Sequence, residues 1–251
     1  MVCYERTGKC RVKKMYSVER AIILAAGIGK RMQPVTFTKP KPLVCVNGIR
    51  MIDTALDALI YNGISEIYIV VGYLKDQFEV IKRKYPMVQL IENPYYKSSN
   101  NISSLYVARE HLKNAIILDG DQVICNKEIM TKKFERSGYN CVWTDEETKE
   151  WLLRIKEGVI VECSRMGGKR GWQLYSVSRW AEQDADKLKK HIEYEFEVKQ
   201  NRDIYWDDIA LFCYPQEYEL GIMEMQNGDV VEIDDLKELA FRDASYDKYI
   251  N

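Results

Sequence analysis

Residues 22–43 read IILAAGIGKRMQPVTFTKPKPL, and this stretch decides the fold class. An apolar run, Ile22 to Ala26, ends in Gly27-x-Gly29 and is followed by Lys30, Arg31, Lys39 and Lys41. A buried strand that opens into a glycine loop leaves backbone N–H groups unpaired and free of side-chain obstruction. Such a loop can wrap phosphate oxygens while the nearby cations neutralise them. The plainer reading is a strand-to-loop transition with solvated charges, and the spacing speaks against it. Two other phosphate-loop patterns fail on the residues. A dinucleotide fingerprint needs a third glycine where Met32 stands. A Walker loop needs Ser or Thr after Gly29-Lys30, and Arg31 is there instead.

The stretch resembles the signature of the sugar-phosphate nucleotidyltransferases, LAAG-x-G-x-R-(M/L) followed by P-K-x-L. Both halves are present, as Leu24 to Met32 and as Pro40 to Leu43. Further motifs are similar to those of the CTP:phosphocholine cytidylyltransferases. They are Gly72-Tyr73-Leu74-Lys75-x-Gln77-Phe78, Asn100-Asn101-x-x-Ser104-Leu105-Tyr106 and Tyr205-Trp206-Asp207. The resemblance covers roughly residues 20–240. It implies a three-layer α/β nucleotidyltransferase fold like that of the glycosyltransferase-A enzymes, with a mixed, mostly parallel sheet and an antiparallel extension.

Periodicity independently describes an α/β chain. Strands are expected near 21–25, 66–71, 88–92 and 115–118, with helices near 52–62, 75–85 and 102–112. The Asn62-Gly63 pair is a helix stop. This alternation implies right-handed βαβ units and a largely parallel sheet. The second half differs. Aromatic-rich strands near 139–144, 151–155, 158–163 and 172–177 lack intervening helices, so an antiparallel extension is expected. A charged helix near 179–199 and a hairpin around Asn227-Gly228 follow. Residues 1–19, charged and without a period, read as an extension to a single domain spanning 20–251.

Composition narrows the function. Of the 251 residues, 46% are hydrophobic, enough for a sizeable core. A net charge of −1 without a basic stripe argues against a nucleic-acid partner. No apolar run approaches the ~20 residues of a membrane span. The N-terminus lacks the apolar core of a secretory signal, so a cytoplasmic protein is expected. Nothing in the sequence sets an oligomeric state. The seven cysteines contain no C-x-x-C pair, which makes a disulfide framework or structural zinc improbable. Cys45, Cys125, Cys141 and Cys163 fall near strand segments, as small core residues do. His111 and His191 lie in charged helical stretches and read as surface residues, against a histidine-based mechanism.

Ligands of open α/β sheets sit beyond the carboxyl ends of the strands. The glycine loop, Gly72-Tyr73 and Asp119-Gly120-Asp121 all fall at such ends. Carboxylates closing a buried strand suit Mg²⁺, which takes one or two of them together with phosphate oxygens and waters. An Asp-Gly-Asp turn is the alternative. The resemblance assigns metal binding to Asp121, with Asp119 the weaker candidate, and to Asp234. Asp235 reads as the cap of the next helix. Catalytic roles fall on Arg31, facing the leaving pyrophosphate, and on Lys41, facing the phosphate of the incoming substrate. Pro40 and Pro42 hold Lys41 in an extended segment. Nucleotide binding is expected from Leu24, Ala25, Ala26, Gly27, Gly29, Gly72, Tyr73, Asn101 and Ser104, the last two as readers of a cytosine edge or as helix caps. The tryptophans cluster late in the chain, and a tryptophan face binds quaternary ammonium well. Trp151, Trp172, Tyr205 and Asp207 are therefore the acceptor-site candidates, whereas Trp180 reads as packing on an amphipathic helix.

The implied reaction joins CTP and phosphocholine, with Mg²⁺ as cofactor, to give CDP-choline and pyrophosphate. A phosphate oxygen already ionised at neutral pH attacks, so no general base is required. The nearest alternative acceptor is 2-aminoethylphosphonate, whose primary ammonium favours carboxylates. A sugar 1-phosphate would want a hydroxyl-reading pocket. A nucleotide-binding module without turnover is at odds with Arg31, Lys41, Asp121 and Asp234 all being present.

Overall fold

The computed structural model describes residues 14–250. Residues 1–13 of the expected extension lie outside them. Order begins before residue 20. Tyr16–Ser17 pairs antiparallel with Lys133–Phe134, and Val18 is fully buried in the core.

The main sheet has nine strands. In chain order they are β1 (Arg20–Ala25), β2 (Glu66–Val71), β3 (Val88–Glu92), β4 (Ala115–Asp119), β5 (Gly138–Thr148), β6 (Leu152–Lys156), β7 (Val159–Ser164), β8 (Gly168–Trp180) and β9 (Gly221–Met225). β1 lies between β2 and β4, and β3 flanks β2, all parallel. From β4 outward the sheet turns antiparallel. The long β8 pairs with β5 along one edge and, along the other, with β6 through Trp172 and Gln173 and with β4 through Val177–Trp180, and β7 pairs with β6. β9 returns parallel to β5.

Helices cover both faces, because strands buried on both sides need apolar residues at every position. Ala21, Ile23 and Ala25 of β1 point into a cluster with Ile52, Ala55, Leu56 and Leu59 of α1 (Met51–Tyr61) and Ile81 of α2 (Glu79–Lys84). Their neighbours Ile22 and Leu24 point the other way. They meet Ile102 and Leu105 of α3 (Ile102–Val107) and Leu188 and Ile192 of α4 (Glu182–Glu193). Buried positions at i, i+3, i+4 and i+7 make the apolar stripe of α1. Asn62 and Gly63, at φ 74°, close that helix. A fifth helix, α5 (Leu236–Arg242), is capped by Asp235, whose Oδ1 accepts from the backbone of Lys237 and Glu238. Among the described residues no helix is long and apolar enough to cross a membrane.

Several expectations are corrected. Trp180 ends β8, not a helix, and is fully buried, because α4 starts only at Glu182. The turn at Asn227-Gly228 makes no hairpin. β9 pairs with β5, whereas Val230–Glu232 crosses to pair with Gln122–Ile124. Neither histidine is a free surface residue. His111 stacks on Tyr68 at 3.7 Å and His191 on Tyr214 at 3.8 Å, each half-buried, and burial lowers both pKa values. Of the four cysteines expected inside, only Cys141 is fully buried, and Cys125 is exposed.

The β5–β9 pairing steers the late chain back to the sheet. At Gly138 an added Cβ would lie 1.9 Å from the Gly221 carbonyl oxygen, so only glycine allows this approach. Gly138→Ala should cost about 3 kcal/mol, at the high end of overpacking effects, read as a lower denaturation midpoint. A midpoint equal to wild type would show that the two strands can separate freely.

Candidate active site

Two clefts meet at the carboxyl ends of β1 and β4. The first, of about 280 Å³, is lined by Leu24, Ala25, Gly27, Gly29, Lys30, Arg31, Lys41, Pro42, Asp121 and Asp234. The second, of about 250 Å³, is lined by Arg31, Asn101, Trp151, Leu174, Ser176, Tyr205 and six carboxylates, Asp119, Asp121, Glu150, Asp207, Glu232 and Asp234. Arg31, Asp121 and Asp234 line both.

The first cleft is walled by the glycine loop. Gly29 sits at φ 68°, and a Cβ there would press on Lys41 Cβ and Thr36 Cγ2, each at 3.1 Å. Thr36 Oγ1 donates to the Gly29 carbonyl at 2.8 Å and holds the loop shape. Gly27 has open space on its Cβ side, so a ligand can approach its backbone. Gly72, Tyr73 and Ala26 support the loop from beneath and do not line the cleft. Tyr73 N donates to the Ala26 carbonyl, its hydroxyl donates to the Thr36 and Phe37 carbonyls, and Gly72 packs under Tyr96.

Lys41 stands where the clefts meet. Its side chain is buried, with Nζ donating to Asp121 Oδ2 at 2.6 Å and to Asp234 Oδ1 at 3.2 Å. Arg31, largely exposed, reaches the same Asp234 oxygen at 3.0 Å. Burial works to lower the Lys41 pKa, but Asp121 first and Asp234 next outweigh it, so the pKa is raised and the ammonium stays charged. Two carboxylates from distant parts of the chain thus converge on one cation. No group of three or more Asp, Glu, His or Cys residues among those described forms a protein-only metal cage. A pair of oxygen ligands open to phosphates is the donor set that Mg²⁺ accepts, so the residues fit that ion.

The other four carboxylates of the second cleft have no comparable cation. Burial pushes Asp207 up to about 7, and it pushes Glu232 up to about 8 although Gln122 donates to it at 2.8 Å. Asp119 is raised by burial and then by Asp121 and Asp207, and Glu150 by burial and then by Asp234. Tyr139 lies beside Asp207, yet neither its hydroxyl nor Asp207 Oδ1 has a partner at hydrogen-bonding geometry. Asp208 is already engaged, by Arg165 at 2.6 Å and by the Tyr205 amide at 3.0 Å. Trp151 and Tyr205 meet edge to face at 5.8 Å and give the cleft its aromatic wall.

Three expected site residues are placed elsewhere. Trp172 lies two residues before Leu174 on β8, edge to face with Trp143 at 5.4 Å, and lines neither cleft. Ser104 is buried, accepting from Asn93 Nδ2 at 3.1 Å, because its helix face turns inward. Asn101 lines the carboxylate cleft, not the glycine-loop cleft, and its Oδ1 accepts from the Trp206 amide at 2.9 Å. Glu150, Ser176 and Glu232 were not among the expected site residues. Glu232 ends the Val230–Glu232 strand two positions before Asp234, and both line the second cleft.

Comparison with known proteins follows the same lines. The family model for the MobA-like NTP transferase domain matches residues 21–187. A 2-aminoethylphosphonate cytidylyltransferase of Lancefieldella rimae is 35% identical over 229 residues, covering 90% of this chain and 92% of that one. A choline-phosphate cytidylyltransferase of Streptococcus pneumoniae is 34% identical over 219 residues, covering 87% and 94%. Among solved structures, a CTP:phosphocholine cytidylyltransferase from Streptococcus pneumoniae superposes with a TM-score of 0.81 at 31% identity, over 94% of this chain and all of that one.

The unpartnered Asp207 has a thermodynamic signature. Its pKa is raised to about 7 in the folded protein from an ordinary 3.8, so the folded state holds the proton more tightly than the unfolded chain. Stability therefore falls as pH rises from about 4 to about 7. Asp207→Asn removes that penalty. The variant should be more stable than wild type at pH 8, by up to about 4 kcal/mol, with the gap closing near pH 4. Denaturation at the two pH values checks this, and a gap independent of pH would refute the assignment.

Proposed function

The chain belongs to the MobA-like NTP transferase family, and from that premise we propose a Mg²⁺-dependent cytidylyltransferase that joins CTP and phosphocholine into CDP-choline and pyrophosphate. The observation that carries the proposal is the junction of the two clefts at Arg31, Asp121 and Asp234. One cleft has a glycine loop for phosphates, and the other has rings and carboxylates for a cationic acceptor. The enzyme works in the cytoplasm in this reading.

The nucleotide triphosphate lies along the glycine loop, with the Gly27 and Gly29 backbone close to its oxygens. Asp121 and Asp234 would hold Mg²⁺, which when bound neutralises charge on the reacting phosphates. Lys41 stands at the junction of the clefts, so its charge serves the acceptor phosphate as it arrives at the α-phosphate of CTP. Arg31 faces both clefts and neutralises the departing pyrophosphate. The acceptor oxygen is already ionised at neutral pH, so positioning and charge compensation carry the rate. In the second cleft Trp151 and Tyr205 offer ring faces to trimethylammonium, and Asp207 supplies the counter-charge.

A second reading has its own support. With Trp172 outside the cleft, two rings stand beside several carboxylates, a lining that also suits the primary ammonium of 2-aminoethylphosphonate.

Pyrophosphate release with CTP, Mg²⁺ and a panel of acceptors tests the proposal. The highest kcat/KM is expected with phosphocholine, ahead of phosphoethanolamine, 2-aminoethylphosphonate and a sugar 1-phosphate. Preference for either primary amine would replace the acceptor and leave cytidylyl transfer in place. Chelation of Mg²⁺ should abolish turnover. Asp121→Ala, Asp234→Ala and Lys41→Ala should each lower kcat by about 100-fold or more, the scale of losing one preorganised charge. Near-normal kcat in Asp121→Ala at saturating Mg²⁺ would defeat the metal assignment.

A further inference from the structure

Residues 201–208 bring Tyr205 and Asp207 to the second cleft, yet up to Asp207 they contain no strand or helix. A segment without a hydrogen-bonded ladder takes its position from whatever satisfies its backbone groups. Three anchors do so here. At the start, Asn201 donates through its amide to the Glu195 carbonyl at 2.8 Å and through Nδ2 to Glu195 Oε2 at 2.9 Å. At the end, Asp208 is gripped by Arg165. The middle is held by Asn100 and Asn101, at the N-terminal end of α3.

We propose that Asn100 and Asn101 form a latch, a pair of positioning residues that docks the 201–208 segment onto α3 and so sets Tyr205 and Asp207 against Trp151 for acceptor binding. This rests on the function proposed above. Asn100 N donates to the Arg202 carbonyl at 2.8 Å, and Asn100 Nδ2 donates to the Asp203 carbonyl at 3.0 Å. Asn100 Oδ1 accepts from the Asn101 amide at 2.7 Å, which fixes the side chain so that its NH₂ faces the segment. Asn101 Oδ1 then takes the Trp206 amide, one residue from both Tyr205 and Asp207. The other two anchors tie the segment to α4's extension and to the turn after β7. The latch hydrogen-bonds it to the half of the molecule that carries the glycine loop, since Ile102 and Leu105 of α3 share a core cluster with Ile22 and Leu24 of β1, and the Arg202 guanidinium over the Tyr95 ring adds to the same contact. The asparagine pair thus holds the acceptor wall at a set distance from the nucleotide cleft.

Asn100 lines neither cleft, so any effect of its side chain on the acceptor must travel through the segment. Asn100→Asp is isosteric, keeps an oxygen for the Asn101 amide and removes the donor to Asp203. Its acceptor KM should rise roughly tenfold while KM for CTP stays within about twofold of wild type, the scale of one lost hydrogen bond that leaves a carbonyl unpaired. Amide hydrogen exchange at Tyr205 and Trp206 should quicken in the same variant, without substrate present. Asn100→Ala should repeat both effects. Equal rises in both KM values, or unchanged exchange at Tyr205 and Trp206, would overturn the latch. Failure of the wild-type enzyme to use any phosphorylated or phosphonate amine would instead overturn the functional reading, and the exchange measurement would still decide the latch.

Discussion

A buried ammonium between two carboxylates organises this molecule. Six acidic side chains line one cleft, and like charges at such density repel strongly wherever water is scarce. The protein answers in two ways. Asp119, Asp207 and Glu232 are driven towards their protonated forms by burial. Asp121 and Asp234 instead share Lys41, only 7% exposed, which compensates them without moving far from the glycine loop. A pair of carboxylates preorganised around one positive charge is ready for another, and the ion pair therefore sits at the one point open to both clefts.

That arrangement constrains the topology. Asp121 follows β4, where the parallel strands give way to the antiparallel ones, whereas Asp234 comes 113 residues later in the chain. The two meet because β9 pairs with β5, and because Val230–Glu232 then pairs with Gln122–Ile124 immediately after Asp121. The crossover at Asn227-Gly228 is what a hairpin reading of that turn misses. A hairpin would have kept the late strands together and left Asp234 away from Asp121. Local turn chemistry was read correctly there, and long-range pairing decided the outcome.

The same division explains what was legible elsewhere. The glycine loop, the parallel strands and α1 follow from periods and caps within a few residues of one another, so the sequence shows them directly. The motifs single out Lys41, Arg31, Asp121 and Asp234, and the structure brings all four within one cluster of ion pairs. Side-chain direction was the harder matter. Trp172 and Leu174 share a face of β8, but position along the strand sends one to Trp143 and the other to the cleft. Asn101 caps the short helix α3 and Ser104 lies three residues on within it, and Ser104 turns inward to Asn93. Among its charged neighbours Trp180 reads as helical, although those that follow it belong to α4, which begins two residues later.

The acidic doublet Asp207-Asp208 shows how selectivity can arise from neighbours that sequence cannot tell apart. Both side chains are buried, at 6% and 2% exposure. Asp208 faces the Arg165 guanidinium and the Tyr205 amide, and these two partners consume its charge in fixing the chain. Arg165 in turn lies 3.9 Å from the Phe212 ring centre, and Phe212 meets Trp151 edge to face at 5.4 Å. One carboxylate is thus spent on holding the aromatic wall, and the other is left with a free oxygen beside it. A buried carboxylate without a partner costs stability at neutral pH, and such a cost is offset when a cation binds next to it. The rings and the unpaired Asp207 act together on that cation, because the rings exclude water and make the remaining charge felt.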